Sequence, residues 1–144
     1  MTTVAPSIPA LLPGLRHSES MMVTNAHTVP EVAAWPGFKD MPAVFATAMM
    51  IGFMEQTCIQ ALRPYLQAGQ CTVGTHVDMS HVAATPVGMA VRAEVELLEV
   101  NARSLRFKVR CTDDTGLIGE GVHQRAIVDK ARFEERLKAK ASQP

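Results

Sequence analysis

The chain contains one long, almost wholly apolar stretch, residues 41–62, with the sequence MPAVFATAMMIGFMEQTCIQAL. Pro42 suits the first turn of a helix, Asp40 places a carboxylate near the positive end of the helix dipole, and Pro64 marks a stop. Apolar residues occur on every side of this helix, as is typical of a helix that the rest of the fold surrounds. We therefore predict one long, central and buried helix.

Glu55 is the one ionisable side chain of this helix besides Cys58. A carboxylate in apolar surroundings needs a charged or hydrogen-bonding partner. Taken alone, Glu55 is explained equally well as a structural carboxylate and as a catalytic one. Because Glu55, Gln56 and Thr47 interrupt the apolar run and charged, strand-like sequence follows it, we predict no membrane-spanning segment.

Length and charge narrow the possible partners. The chain has 144 residues, and we predict a short flexible leader, residues 1–13, followed by a single domain, residues 14–144. The 14 Lys and Arg residues balance 14 Asp and Glu residues and only 5% of residues are aromatic, so we expect no nucleic-acid partner. The uncharged, 47% hydrophobic composition favours self-association.

The cysteine pattern bears on the compartment and on metals. Cys58, Cys71 and Cys111 are widely spaced and include no Cys-x-x-Cys pair. This spacing is typical of reduced thiols in a cytoplasm and not of a disulfide or zinc framework. We therefore expect a cytoplasmic protein without a metal site.

After the helix the apolar pattern changes to a period of two, which predicts strands. In the first of these, residues 71–81, His81 lies on the apolar face that must pack on the helix, whereas His76 faces water. Two further strands, residues 89–100 and 104–112, alternate in the same way. Their inward side chains are predicted to be Val91, Ala93, Val95, Leu97, Leu105, Phe107, Val109 and Cys111.

The last strand is predicted at residues 117–129, after a hairpin turn at residues 113–116. Gly119 and Gly121 in this strand indicate a bulge or a close approach of another backbone or a ligand. Residues 130–141 are predicted to form a short surface helix.

The segments before the helix complete the fold. Residues 14–23 predict a first strand, and residues 24–40 predict a loop that is either a packed connection or a lid over a pocket. One helix wrapped by a five-stranded antiparallel sheet is an α+β protein with the hot-dog fold.

Seven short blocks between residues 38 and 128 carry a further signal, because they occur together and in a fixed order. They are Phe38-x-x-Met41-Pro42, Val44-Phe45-Ala46-Thr47, Met54-Glu55-x-x-Cys58, Pro64-Tyr65-Leu66, Gly74-Thr75, His81-x-Ala83-Ala84-Thr85-Pro86 and His123-x-Arg125-Ala126. Together these blocks resemble the fluoroacetyl-CoA thioesterase family of hot-dog proteins.

The resemblance implies a catalytic trio of Thr47, Glu55 and His81. It also implies that Gly74 lies beside the thioester carbonyl and that Arg125 lies near the acyl pocket. The resemblance also implies a homodimer, since hot-dog proteins of this kind are dimers with active sites between subunits.

The lid residues differ in part from the family pattern. Phe38 matches one aromatic residue of the lid over the acyl group, whereas Met41 stands where the family has a second aromatic residue. Gln56 stands where the family can carry a tryptophan. These departures concern the acyl group and leave thioester hydrolysis in place. The resemblance as a whole implies a small, fluoroacetyl-CoA-like acyl-CoA as the substrate.

The chemistry of the residues is compatible with these roles. A poorly solvated carboxylate is a strong nucleophile or base, an imidazole can orient it and exchange protons, and a glycine lets a backbone N–H approach an oxyanion closely. Considered alone, Thr47 is an ordinary helix threonine bonded to its own backbone, and Arg125 and His123 are surface residues.

The spacing of Thr47 and Glu55 sets a geometric condition. Eight residues separate them, which corresponds to about 12 Å along a straight helix, so direct contact within one subunit is not expected. Two arrangements remain open. Either the helix begins late, or the site combines Thr47 of one subunit with Glu55 of another.

The leading expectation is an acyl-CoA thioesterase that needs no cofactor, since CoA is part of its substrate. Two alternatives stay open from the sequence. One is a hot-dog enoyl-CoA hydratase or dehydratase, which would use a histidine with an acid. The other is an acyl-CoA-binding module that keeps the fold without turnover.

Overall fold

The structure, a computed structural model, describes residues 8–143. The predicted leader lies partly outside this range, and within it Leu11 packs against the hydrophobic core. Short 3-10 turns occupy Asn25–His27 and Arg63–Tyr65. The helices and strands are β1 (Arg16–Met22), α1 (Val29–Val32), α2 (Pro36–Lys39), α3 (Thr47–Leu62), β2 (Gln70–His81), β3 (Ala90–Asn101), β4 (Ser104–Asp113), β5 (Gly116–Asp129) and α4 (Lys130–Ala141).

The five strands form one antiparallel sheet in the order β1-β3-β4-β5-β2. Strand β2 follows α3 directly but lies at the far edge, so the helix crosses the sheet before the chain returns through β3, β4 and β5. The predicted hot-dog architecture, one helix wrapped by five antiparallel strands, is confirmed.

The core lies between α3 and the concave face of the sheet. The eight side chains predicted to point inward from β3 and β4 are all buried, none of them more than 3% exposed. Helix α3 contributes Met50, Phe53, Met54, Cys58 and Leu62 to the same core. The period-two pattern therefore identified the buried side of these two strands correctly.

The central helix is shorter than predicted. It begins at Thr47, not near Met41, because the preceding residues are extended and bond to other segments. The Phe45 N–H donates to the Thr85 carbonyl at 2.9 Å, and the Ala46 N–H donates to the His27 carbonyl at 2.9 Å. In a helix that began near Met41, these two N–H groups would instead donate to the carbonyls of Met41 and Pro42.

One side of α3 remains uncovered in the single chain, contrary to the expectation of a helix buried all round. Ala48, Gly52 and Gln56 are exposed, and Ile51 and Ile59 are half-buried. The sheet covers only the opposite side of the helix. No helix in the described part of the chain combines the length and apolar character needed to cross a bilayer.

One irregularity in the sheet lies where the glycines of β5 predicted it. The β4–β5 register shifts beside Gly119, where Cys111 pairs with Gly119 and Thr112 with Leu117, leaving Ile118 as the extra residue. A Cβ atom at Gly121 would collide with the Asp78 carbonyl of β2. Glycine therefore permits the close pairing of β5 with β2.

The segment before α3 is more structured than the predicted loop. It contains a 3-10 turn and the two short helices α1 and α2, which begin next to Pro30 and Pro36. The ring of Phe38 meets the exposed Trp35 ring edge-on, with the ring centres 5.0 Å apart.

Candidate active site

Thr47 and His81 meet at the start of α3. Thr47 is the first residue of the helix, and its Oγ1 lies 2.7 Å from Nδ1 of His81, the last residue of β2. The other ring nitrogen, Nε2, is buried and has no hydrogen-bond partner among the described residues. Burial lowers the pKa of His81, so the imidazole is neutral at pH 7. A neutral ring with one uncommitted nitrogen can exchange a proton with a bound substrate or water.

Glu55 has its partner on β5 and not at His81. Its Oε2 accepts a hydrogen bond from Arg125 Nη1 at 2.7 Å. The Arg125 side chain is only 3% exposed, whereas the Glu55 side chain is 42% exposed. The ion pair therefore places the guanidinium inside the fold and the carboxylate at the boundary with solvent, where it can reach a ligand.

Arg125 is held on three sides. Its Nε–H donates to Thr72 Oγ1 at 2.9 Å and an Nη2–H donates to the Thr72 carbonyl at 2.8 Å. Nη1 also lies 3.1 Å from Nε2 of His123. The expectation that Arg125, taken alone, is a surface arginine is wrong, because its polar atoms find enough partners inside the fold to offset their loss of water.

His123 was also expected at the surface, and this expectation is wrong as well. The residue is 1% exposed and its Nδ1 lies 2.8 Å from the His76 carbonyl. Its Nε2 is 3.9 Å from Glu55 Oε2. Period-two alternation along β5 places His123 on the same face as Arg125, and that pattern is the signal by which it could have been assigned to the site.

Gly74 lies against the same cluster. A Cβ atom at this position would lie 2.8 Å from Glu55 Oε2 and 3.2 Å from Cε1 of His123. A bulge at Thr75 puts Gly74 opposite Arg125, since the β2–β5 register shifts between Gly74 and His76. The absence of a side chain therefore leaves room for the carboxylate.

Within one chain these residues form two groups. Thr47 bonds His81 at the start of α3, and Glu55 bonds Arg125 about 12 Å further along the helix axis. Both Thr47 and Glu55 lie in α3, so a late helix start does not bring them together. Of the two arrangements left open by the sequence, the late helix start is therefore excluded.

The predicted lid residues lie before α3. Phe38 is half-buried on α2. Met41, which follows the end of this helix, is 47% exposed. A surface groove of about 510 Å³ runs over the outer face of the sheet beside Arg16 and Arg92 and includes none of the predicted catalytic residues. Substrate contacts of Phe38 and Met41 remain predictions.

Two of the three cysteine thiols are protonated and unreactive. Cys58 and Cys111 are buried, and burial raises the pKa of each to about 12. Across residues 8–143, no group of three or more His, Cys, Asp or Glu side chains is arranged to hold a metal ion.

Comparison with known proteins identifies relatives. A family model described as fluoroacetyl-CoA-specific thioesterase matches residues 23–131. The fluoroacetyl-CoA thioesterase of Streptantibioticus cattleyicolor is 38% identical over 117 residues, which cover 81% of this chain and 82% of that protein.

Two solved structures agree with this match. A fluoroacetyl-CoA thioesterase variant in complex with acetyl-CoA superimposes with a TM-score of 0.88 at 34% identity, covering 90% of this chain and 98% of the other. A thioesterase superfamily member of Thermus thermophilus has a TM-score of 0.79 at 26% identity, covering 94% of this chain and 97% of the other. Sequence and fold thus lead to the same conclusion: the chain belongs to the fluoroacetyl-CoA-specific thioesterase family and is a thioester hydrolase.

Proposed function

We propose that this enzyme hydrolyses the CoA thioesters of small acyl groups to the free acid and CoA. The observation that supports this most directly is the state of Glu55, a carboxylate on an otherwise apolar helix. One of its oxygens is fixed by Arg125, and its side chain is 42% exposed. A carboxylate that is held in position and only partly solvated is suited to attack a carbonyl carbon or to activate water for that attack.

The other residues have complementary roles in this proposal. His81, neutral and bonded to Thr47, accepts a proton from the water that is consumed and passes it to the departing CoA sulfur. A backbone N–H near Gly74 stabilises the negative charge that develops on the carbonyl oxygen. A bond forms between the attacking oxygen, of Glu55 or of water, and the acyl carbon, and the bond between that carbon and sulfur breaks. Water supplies the oxygen added to the acid and the proton added to the CoA sulfur. No cofactor takes part, because CoA enters as half of the substrate.

The assembly and the compartment belong to the same proposal. We expect a homodimer whose active sites combine Thr47 and His81 of one protomer with Glu55 of the other. The uncovered side of α3 and Val77, which is 48% exposed on the edge strand β2, supply apolar surface for such an interface. The three free thiols support a cytoplasmic location.

A panel of acyl-CoAs tests the reaction. CoA release is measured from acetyl-, fluoroacetyl-, propionyl- and larger aryl-CoAs, with hydration of an enoyl-CoA measured beside it. We expect hydrolysis of the small acyl-CoAs and no enoyl hydration. Because Met41 stands in place of an aromatic residue, we expect acetyl- and fluoroacetyl-CoA to be hydrolysed at rates within about tenfold of each other, which is about 1.4 kcal/mol of discrimination.

Variants assign the activity to the site. Glu55→Gln keeps an oxygen that can accept from Arg125 but removes the charge, so we expect kcat to fall at least about 100-fold in a folded protein. Glu134→Gln, which removes an exposed carboxylate from α4, is the matched control and should leave kcat unchanged. Binding of acyl-CoA without turnover by the natural protein would instead indicate a binding module.

A further inference from the structure

The two ring nitrogens of His123 have partners whose roles are fixed by their chemistry. A backbone carbonyl can only accept, so Nδ1 of His123 must carry the proton that it donates to the His76 carbonyl at 2.8 Å. A guanidinium can only donate, so Nε2 must present its lone pair to Arg125 Nη1 at 3.1 Å. Together these contacts require one tautomer of a neutral imidazole.

His123 does not bond the carboxylate itself. Its Nε2 and Glu55 Oε2 are 3.9 Å apart and both are acceptors, so neither can donate to the other. They share Arg125 Nη1 instead, which donates one hydrogen to each. Any effect of His123 on Glu55 therefore passes through Arg125.

The donors of Arg125 show what His123 adds. Of the five guanidinium N–H groups, two go to Thr72, one to Glu55 and one to His123. Without the His123 lone pair, a second buried N–H of Arg125 would have no partner. The guanidinium would then gain from rotating away from the geometry in which it holds Glu55.

We propose that His123 is a positioning residue for thioester hydrolysis, acting as the neutral acceptor that fixes Arg125 and, through it, the Glu55 carboxylate. This inference rests on the function proposed above and assigns His123 a role in the same site. The charged or titratable groups that act on it are Glu55 on α3, His76 on β2 and Arg125 on β5, and its neighbour on β4 is the apolar Phe107. Burial lowers the pKa of His123, which keeps the ring neutral at pH 7.

Two amide substitutions test the two ring nitrogens of His123 separately. The amide of His123→Gln reaches the place of Nε2 and offers an oxygen to Arg125. The amide of His123→Asn reaches only the place of Nδ1 and can bond the His76 carbonyl. We expect kcat of the Asn variant to fall by about tenfold to 100-fold with little change in KM, because the carboxylate loses its fixed position. The Gln variant should stay within about threefold of the natural enzyme, a difference of less than about 0.7 kcal/mol.

Equal kcat values in the two variants, whether both normal or both low, would overturn the proposal. Thermal unfolding of both variants verifies that a loss of kcat is not a loss of folded protein. A measurement without any variant decides the case independently of activity. In the natural protein at about pH 7, histidine ¹⁵N chemical shifts should show His123 protonated at Nδ1 only.

The other tautomer, or a charged ring, would refute the positioning role even if the enzyme is active. Conversely, an inactive natural enzyme with the expected tautomer would contradict the proposed function and leave the arrangement of His123, Arg125 and Glu55 intact. The tautomer of His123 and the activity of the natural enzyme therefore test the two proposals separately.

Discussion

At the scale of single residues, the buried positive charge of the site, the Arg125 guanidinium, has hydrogen-bond partners on several sides. Arg125 is enclosed by Thr72, His123 and Glu55, whereas the carboxylate of Glu55 keeps contact with solvent. Removing the acceptor at position 55 altogether would leave a buried guanidinium N–H unpaired. For this reason an amide, and not an alanine, is the informative replacement for Glu55.

Neutral His123 also makes stability depend on pH. Its pKa is lowered by burial in the folded chain and is near 6.5 when unfolded, so the unfolded chain takes up a proton first as the pH falls. The free energy of unfolding should therefore decrease from about pH 7.5 to about pH 5. In urea unfolding, His123→Gln should lose less stability over this range than the natural protein. Equal losses in both proteins would show that His123 does not contribute.

At the scale of secondary-structure elements, the pairing of β5 with β2 depends on glycine. A side chain at Gly121 would meet the backbone of β2, which cannot move aside, whereas a Cβ at Gly37 on α2 meets nothing within 4 Å. We expect Gly121→Ala to lower the free energy of unfolding by about 2 kcal/mol or more. Gly37→Ala should be neutral or stabilising by up to about 1 kcal/mol, because alanine favours a helix. Similar unfolding midpoints for the two variants would contradict this explanation.

The elements themselves were largely predictable because their signals are local. Alternation in β3 and β4, the turn at residues 113–116 and the helix at Lys130–Ala141 all follow from residues close together in sequence. The start of α3 was not predictable in this way. Apolar residues 41–46 suit a helix equally well, and only their backbone bonds to His27 and Thr85 make them extended.

The sequence predicts candidate residues for the site but not the contacts between them. Period two placed His81 on the helix-facing side of β2, where it meets Thr47. Nothing local indicates that Glu55 bonds Arg125, which is 70 residues away, or that the bulge at Thr75 turns Gly74 toward both. Burial of His123 and Arg125 depends on the same long-range pairing, and polar residues on a strand are normally read as exposed.

At the scale of the whole molecule, the proposed division of the site between protomers can be tested by mixing. We expect His81→Ala and Glu55→Gln each to inactivate every site of the proposed homodimer. Random mixed dimers of the two variants restore one complete site in half of the molecules, so about a quarter of the natural activity should return. A mixture that stays inactive would place Glu55 and His81 in the same protomer's site.

The matched control for this mixing uses Thr47→Ala with His81→Ala. Both substitutions damage the same group, the pair formed at the start of α3, so no mixed dimer contains an intact one. This mixture should remain inactive. Activity in it, from two variants that are each inactive alone, would contradict the pairing of Thr47 with His81 in one site.

The burial of the cysteines has a practical consequence for following turnover. Cys58 and Cys111 are enclosed in the core as protonated thiols, and only the half-buried Cys71 is near the surface. A dye that reports sulfhydryl groups by exchange will therefore colour with liberated CoA and hardly with the native enzyme. Two additional equivalents of colour per chain will appear when the protein is denatured. The same assay can thus record catalysis and loss of the fold in one cuvette.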